Sequence, residues 1–189
     1  MAPGTLTSVS NAQTLLAVSS PLDVATIFRE HGPDVHRLLR RLGVPTSDVD
    51  DAFQEVFVIV HRKLGGLEKP ASMRAWVYGI CIRVSAKYRR LRSSTREVAE
   101  DAAGEPIDPT TPVEHLNAKQ ARAVLGTILD QLDDERRSVF VLYELEERPM
   151  PEVAQIMGCP VQTAYTRLRT AREEVAEAVR RYRARREFR

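Results

Sequence analysis

The sequence predicts an all-α fold of two small helical domains joined by a flexible acidic linker, with a helix-turn-helix in the C-terminal domain. Nearly every apolar pattern in the 189 residues repeats at three- and four-residue steps, and no stretch alternates long enough to favour a strand. An acidic stretch rich in proline and threonine divides these patterns into two groups. With 43% apolar residues, the chain can bury a core in one or two domains.

Shifts in composition divide the chain into five segments. We expect a flexible leader at residues 1–20, a first helical domain at 21–92, an acidic linker at 93–113, a second helical domain at 114–182 and a basic tail at 183–189. A basic block lies on each side of the linker, so a formal net charge of only +2 conceals two cationic regions.

The first predicted helix has recognisable start and stop signals. Ser20-Pro21 is a candidate N-cap and first turn, because proline suits the first helical position. Gly32-Pro33 is expected to interrupt the helical pattern, and Gly43 is expected to end it.

The second predicted helix carries apolar and acidic residues on opposite faces. Ser47, with Asp50 three residues later, forms a variant of the capping box that opens this helix. The inward stripe is formed by Phe53, Val56, Phe57, Val60 and Leu64. The outer face is formed by Asp51, Gln54, Glu55 and Val58. A negative patch cannot serve phosphate contact and suggests a protein partner, although charged outer faces are usually only solvated.

The third predicted helix begins near Ser72 and is basic. Helical spacing turns inward Trp76, Val77, Ile80, Val84, Tyr88 and Leu91, and it turns outward Tyr78, Ile82, Ser85, Arg89 and Arg92. Exposed tyrosine and isoleucine beside arginines predict a platform for unstacked bases, because proteins hold single strands by aromatic stacking and phosphate neutralisation. A place for Tyr78 in the core is the alternative.

The second domain is predicted to end in a helix-turn-helix. Asp133 or Asp134 can cap one helix, and a shorter one, "PEVAQIMG", ends at Gly158. The helix behind "GCP" then has the place of a recognition helix in the major groove. Its inward face is formed by Ala164, Leu168, Ala171 and Val175; the outer face and its shoulders carry Gln162, Tyr165, Thr166, Arg167, Arg169, Thr170, Arg172 and Glu173. Outer donors can reach base edges and shoulder arginines can reach phosphates, but a solvated arginine face gives the same spacing.

The chain resembles the extracytoplasmic-function (group 4) sigma factors of bacterial RNA polymerase. Three stretches carry the resemblance in the family's order: "DVDDAFQEVFVIVHRKL", "RAWVYGICIRVSAKYRR" and "LDQLDDERRSVFVLYELEERPMPEVAQIMGCPVQTAYTRLRTAREEV". The resemblance implies a protein that binds core RNA polymerase and directs promoter recognition, strand opening and transcription initiation. It also implies an anti-sigma factor as a further partner.

The resemblance assigns roles to three groups of residues. The polymerase-docking group is Asp51, Gln54 and Glu55. The group expected to hold a flipped base and the melted −10 strand is Arg74, Tyr78, Arg83, Lys87, Arg89 and Arg90. The group expected to read the double-stranded −35 element is Gln162, Thr163, Tyr165, Thr166, Arg167, Arg169, Thr170 and Arg172.

The sequence departs from common family patterns at four positions. Gly79 replaces a frequent arginine and Arg83 a frequent asparagine, while Tyr165 replaces a basic residue and Asp133 replaces a proline. The resemblance therefore implies roles and not a promoter sequence.

Other classes of function find little support in the sequence. Cys81 and Cys159 have no second ligand at a metal-binding spacing, and no phosphate-cradling loop or cofactor motif occurs. An enzyme with an acid pair would have to use Asp50 and Asp51, which point about 100° apart on a helix. We expect a cytoplasmic protein without cofactor or metal. The remaining rival is a helix-turn-helix regulator that binds a palindromic site as a dimer and does not dock on polymerase.

Overall fold

The described structure is helical. The computed structural model describes residues 23–67, 72–96, 121 and 123–187. Its helices are α1 (Val24–Arg41), α2 (Val49–Leu64), α3 (Met73–Arg96), α4 (Asp134–Phe140), α5 (Met150–Met157) and α6 (Val161–Glu187). A 3-10 turn precedes α2, residues 123–129 are helical, and a π turn, Val141–Leu145, extends α4. No strand occurs within these ranges, which confirms the all-α prediction.

Helix α1 differs from its prediction in one respect. Its N-cap is Asp23, whose carboxylate accepts a hydrogen bond from the Thr26 amide at 2.5 Å; the predicted Ser20-Pro21 cap lies outside the described residues. The helix runs unbroken through Gly32-Pro33, so the predicted interruption is wrong. Gly32 is buried beside the Phe53 ring, and packing on α2 and α3 outweighs the cost of an internal proline.

Helices α2 and α3 differ in how their N-termini are capped. Ser47 lies in the 3-10 turn Thr46–Asp48 and donates to the Asp48 carboxylate at 2.9 Å, so the predicted capping box does not form. Ser72 does cap α3, since its hydroxyl accepts from the Ala75 amide at 3.1 Å. Helix α3 continues four residues past the predicted domain end at residue 92, because residues 93–96 include neither glycine nor proline.

The helices of the C-terminal half follow the sequence signals closely. Asp133, one of the two predicted candidates, caps α4 by accepting from the Arg136 amide at 2.7 Å. Helix α5 ends at Gly158, whose φ of 63° is the left-handed conformation that glycine adopts easily. Helix α6 is longer than predicted and includes most of the basic tail.

The two halves pack against each other. Helix α3 contacts α1 and α2 on one side and α5 on the other. One continuous buried cluster includes Leu38 and Val77 from the N-terminal half and Val153 and Leu168 from the C-terminal half. The sequence predicted two compact domains; the structure adds an interface between them. Most of the predicted linker lies outside the described residues.

Candidate nucleic-acid interface

The outer face of α2 is acidic and accessible. Asp51 and Gln54 are exposed, and Glu55 is half-buried. Lys87 on α3 donates to both carboxylate oxygens of Glu55, at 2.9 and 2.8 Å, and this hydrogen bond raises the pKa of the lysine. Beside these polar residues Val58 is 45% exposed. The face therefore combines negative charge with a small apolar spot, a composition suited to a protein partner.

The basic residues of α3 lie in different surroundings. Arg83 and Arg90 are exposed, and Lys87 is exposed but paired with Glu55. Arg89 is largely covered: its guanidinium donates to the Leu132 carbonyl at 3.1 Å and pairs with Asp134 at 2.8 Å. The half-buried Arg74 has a buried Nε without a hydrogen-bond partner in the described structure. Only part of the predicted cationic surface is open to a ligand.

Several predicted orientations on α3 are wrong. Tyr78, predicted to face outward, is fully buried, and Ser85 is only 3% exposed. Leu91, predicted to face inward, is 55% exposed. Tyr78 and Ser85 are buried because α3 is covered on two sides, by the N-terminal helices and by α5. Burial raises the pKa of Tyr78 to about 12.

The outer face of α6 is open along its first turns. The buried Ala164, Leu168 and Ala171 fix the inner face of this helix. The opposite face exposes Gln162, Tyr165, Thr166 and Arg169, while Thr163 and Thr170 are half-buried. The two hydroxyls of Thr166 and Thr170 each donate to a backbone carbonyl one turn earlier, at 3.0 and 3.3 Å. Both hydroxyls are therefore bonded to the backbone of their own helix.

The arginines of α6 fall into two classes. Arg167 pairs with Glu135 at 2.6 Å, and Arg172 donates to Glu144 at 2.6 Å while lying 5.5 Å from the centre of the Tyr143 ring. Arg169 has no side-chain partner among the described residues and extends into solvent. It is the cation of this face best placed to reach a base edge.

Family comparisons agree with this geometry. Residues 27–97 match the family described as Sigma-70 region 2, and residues 122–175 match Sigma-70, region 4. The ECF RNA polymerase sigma-E factor of Escherichia coli (strain K12) is 28% identical over 145 residues, covering 72% of this chain and 76% of the relative. RNA polymerase sigma factor CnrH of Cupriavidus metallidurans is 28% identical over 158 residues, covering 79% and 83%. The chain is an extracytoplasmic-function sigma factor.

Solved structures share the fold of this sigma factor. CnrH, solved in complex with the cytosolic domain of CnrY, has a TM-score of 0.61 at 22% identity and covers 82% of this chain and 86% of its own. The sigma factor RpoE from Bartonella quintana, solved with the anti-sigma factor NepR, has a TM-score of 0.60 at 18% identity and covers 82% and 96%. At these identities the likeness supports the fold.

Sequence reasoning missed the residues that join the two halves of the sigma factor. Arg137 and Glu146 are 2% and 4% exposed, although both read as ordinary charged residues of amphipathic helices. Arg137 and Glu146 are buried because the N-terminal half packs against them. The spacing of residues along a single helix does not predict that contact. Gly79 was the available signal, since a glycine within a helix commonly marks a close approach of another backbone.

Two further features bear on possible functions. No cluster of three or more metal-binding side chains occurs in the described parts of the chain. None of the described helices is long and apolar enough to cross a membrane.

Proposed function

We propose that this sigma factor uses three separate helix surfaces to direct core RNA polymerase to a promoter. The outer face of α2 docks on the polymerase, exposed cations of α3 hold the melted −10 strand, and the outer face of α6 reads the −35 element. The observation that carries the proposal is that an exposed acidic face and an exposed face bearing Arg169 lie on different helices, α2 and α6.

The docking role rests on Asp51, Gln54 and Glu55. These residues lie on the side of α2 away from its apolar core, to which the neighbouring Ala52 and Val56 belong as fully buried residues. A face with this charge repels nucleic acid and attracts a basic protein surface. Val58 adds the apolar contact that interfaces commonly include.

The role of α3 rests on its exposed cations. Arg83 and Arg90 are open to solvent on one helix, so they can follow the phosphates of a single strand; Lys87 lies between them and can join once it leaves Glu55. Arg74 and Arg89 are partly covered and contribute only after local rearrangement. Because Tyr78 is buried, base stacking by this residue is not part of the proposal.

The role of α6 rests on its exposed donors. Gln162 and Arg169 carry the side-chain types that form bidentate pairs with adenine and guanine. Arg167 and Arg172 are held by carboxylates and are better suited to phosphate contact. Tyr165 supplies an exposed ring, and the two threonine methyls can contact the methyl of thymine.

We also propose that an anti-sigma factor regulates this protein. Two structurally similar proteins were solved with a partner: CnrH with the cytosolic domain of CnrY, and the sigma factor RpoE with the anti-sigma factor NepR. We place the protein in the cytoplasm, where polymerase works, and propose that it is not an enzyme. Its effect on transcription then comes from binding energy alone.

Run-off transcription tests the proposal. Purified chain added to core polymerase from its own host should produce transcripts with defined starts from a promoter library, and core enzyme alone should not. The regulator alternative predicts the reverse: tight binding to palindromic DNA without polymerase, and no change in start-site choice. That result would refute the proposal.

Charge reversal tests the docking face. The double variant Asp51→Lys with Glu55→Lys should lose co-purification with core polymerase while keeping its helical circular dichroism. Loss of the Glu55–Lys87 ion pair at the surface should change the folding stability little, because surface ion pairs contribute little to it. The matched control is Glu30→Lys with Glu147→Lys, which changes the charge equally at two other exposed positions. Equal polymerase binding by both variants would contradict the docking role.

A further inference from the structure

Arg172 on α6 is held by two neighbouring residues of the π turn. Its Nε donates to a Glu144 carboxylate oxygen at 2.6 Å, and its guanidinium carbon lies 5.5 Å from the centre of the Tyr143 ring. Neither terminal nitrogen, Nη1 or Nη2, has a hydrogen-bond partner among the described residues. The arginine side chain is 54% exposed. The guanidinium is therefore held at one end while its terminal donors stay available to a ligand.

The π turn brings this ring and this carboxylate to α6. The Glu146 amide donates to the Val141 carbonyl at 2.9 Å, five residues earlier instead of the four of an α-helix. Tyr143 packs against the hydrophobic core, and Glu144 next to it is half-buried. Turns of this kind inside helices are frequent at functional sites. Here the turn places two consecutive side chains against one guanidinium.

The arginine on the other shoulder of α6 is held differently. Arg167 pairs with Glu135 through Nη2, at 2.6 Å, so one of its terminal nitrogens is already occupied. Within the described ranges no aromatic ring lies against Arg167. A guanidinium binds a phosphate most strongly through two parallel N–H donors. Arg172 keeps such a pair of donors free, and Arg167 does not.

The contact between Arg172 and Glu144 is better explained by orientation than by stability. Their side chains are 54% and 31% exposed, and surface ion pairs contribute little to folding. An arginine that is already oriented loses less rotamer freedom when it binds a ligand. Position 172 lies roughly 4.5 Å further along the helix than Arg169. Its guanidinium can therefore reach a phosphate beside the bases that Arg169 contacts.

We propose that Glu144 and Tyr143 are positioning residues for DNA recognition. They hold the Arg172 guanidinium so that its two terminal nitrogens bind one DNA phosphate at the −35 element. Glu144 orients the group through Nε, and Tyr143 supports its flat face by a cation–π contact. Neither positioning residue contacts DNA itself. The inference rests on the proposed function, because it concerns the same face of α6.

Binding of polymerase holoenzyme to promoter DNA at several salt concentrations tests the role of Glu144. Glu144→Ala should weaken binding roughly two- to ten-fold, the range expected when one more side chain must be ordered. The slope of log K against log salt should become shallower by up to about 0.9, the value for one phosphate. Glu144→Gln keeps an oxygen that accepts from Nε. It should bind at least as tightly as the wild type and keep the wild-type slope.

Tyr143 is tested in the same assay by two variants. Tyr143→Leu removes the ring and should weaken binding in the same direction as Glu144→Ala. Tyr143→Phe keeps the ring and should bind like the wild type. Circular dichroism checks that each variant keeps its helix content. A folded Tyr143→Leu variant that binds like the wild type would overturn the role of the ring.

A double-variant cycle shows whether Glu144 acts through Arg172. In an Arg172→Ala background, Glu144→Ala should have no further effect, because the side chain that it positions is absent. The control Glu174→Ala removes an equal charge and breaks another ion pair between α4 and α6, with Arg136 at 2.7 Å. It should leave affinity and salt slope unchanged. Wild-type binding by Glu144→Ala would overturn the proposal, and so would tighter binding, which would make Glu144 a competitor of the phosphate.

Nuclear magnetic resonance of the full chain, without DNA or polymerase, separates this inference from the proposed function. The Nε–H signal of Arg172, assigned by its absence in Arg172→Lys, should be protected from exchange with water in the wild type and in Glu144→Gln. It should lose that protection in Glu144→Ala. Equal protection in all three would overturn the positioning role, and normal run-off transcription would then leave the proposed function intact. The expected protection without promoter-directed transcription would refute the proposed function alone.

Discussion

The two basic helices of this sigma factor, α3 and α6, have similar sequences in outline and different surroundings. Both carry arginines beside tyrosine on a face that helical spacing turns away from the core. On α6 that face is open, and Tyr165 is 49% exposed. On α3 the corresponding Tyr78 is fully buried. The difference is that the first turns of α6 are packed on one side only, whereas the middle of α3 is packed on two.

This comparison separates what helical periodicity can predict from what it cannot. A hydrophobic stripe identifies the face that a helix turns toward its own domain. It gives no information about a second domain that later covers the opposite face. Tyrosine and isoleucine occur both at the surface and in the core. Their presence on the predicted outer face of α3 therefore did not show that another helix covers that face.

Alanine at the two tyrosines should give the largest difference between these helices. Tyr78→Ala should lower the free energy of unfolding by about 3–4 kcal/mol, because it empties a packed site. Tyr165→Ala should change that free energy by less than about 0.5 kcal/mol, as expected for a surface position. Urea denaturation followed by circular dichroism measures both. Equal, small effects would mean that the middle of α3 is open in solution.

Much of the fold could be predicted because it depends on local signals. Helix α3 begins at Ser72 and α5 ends at Gly158, as predicted, and Asp133, one of two candidates, caps α4. Local signals failed where tertiary packing opposed them. Proline at position 33 lies inside a continuous helix, since α1 gains more by packing along its whole length than it loses at one backbone hydrogen bond.

The candidate sites could be predicted in part. Exposure of Asp51, Gln54 and Arg169 followed from their spacing within single helices. The contacts of Glu146 with Arg37 and Arg41 join residues that are 109 and 105 positions apart in the sequence. Contacts at that separation depend on how the two halves of the protein pack together. The residue pattern of a single helix does not predict them. The roles of the site residues stay predictions.

A DNA-binding measurement should test whether the exposed face of α6 reads bases. Arg169→Ala should weaken binding of polymerase holoenzyme to promoter DNA by about 1–3 kcal/mol if the side chain reads a base. The loss should be confined to promoters with the preferred −35 base pair, which a competition assay across sequence variants measures. Arg183→Ala removes the same charge from an exposed position roughly 21 Å further along α6 and is the control. A uniform loss across all sequences would make Arg169 a phosphate contact.

The smallest expected effect concerns the hydroxyl of Tyr78. This oxygen is buried without a hydrogen-bond partner in the described structure, so Tyr78→Phe should raise the free energy of unfolding by about 1 kcal/mol. The gain should grow with pH. Burial raises the folded-state pKa of Tyr78 to about 12, whereas an unfolded tyrosine has a pKa of about 10. Below pH 10 both states are protonated and the tyrosine's contribution is complete.

Between about pH 10 and 12 the unfolded chain releases the Tyr78 proton and the folded chain keeps it, so wild-type stability falls as pH rises. The Tyr78→Phe variant lacks this term. Denaturation of both proteins at about pH 8 and pH 11 should therefore show a larger difference at the higher pH. Tyr165→Phe is the control, because its hydroxyl lies on an exposed residue and should have little effect at either pH. A Tyr78→Phe variant less stable than wild type would mean that the hydroxyl has a partner in solution, and that α3 is covered less tightly than α5 and its neighbours indicate.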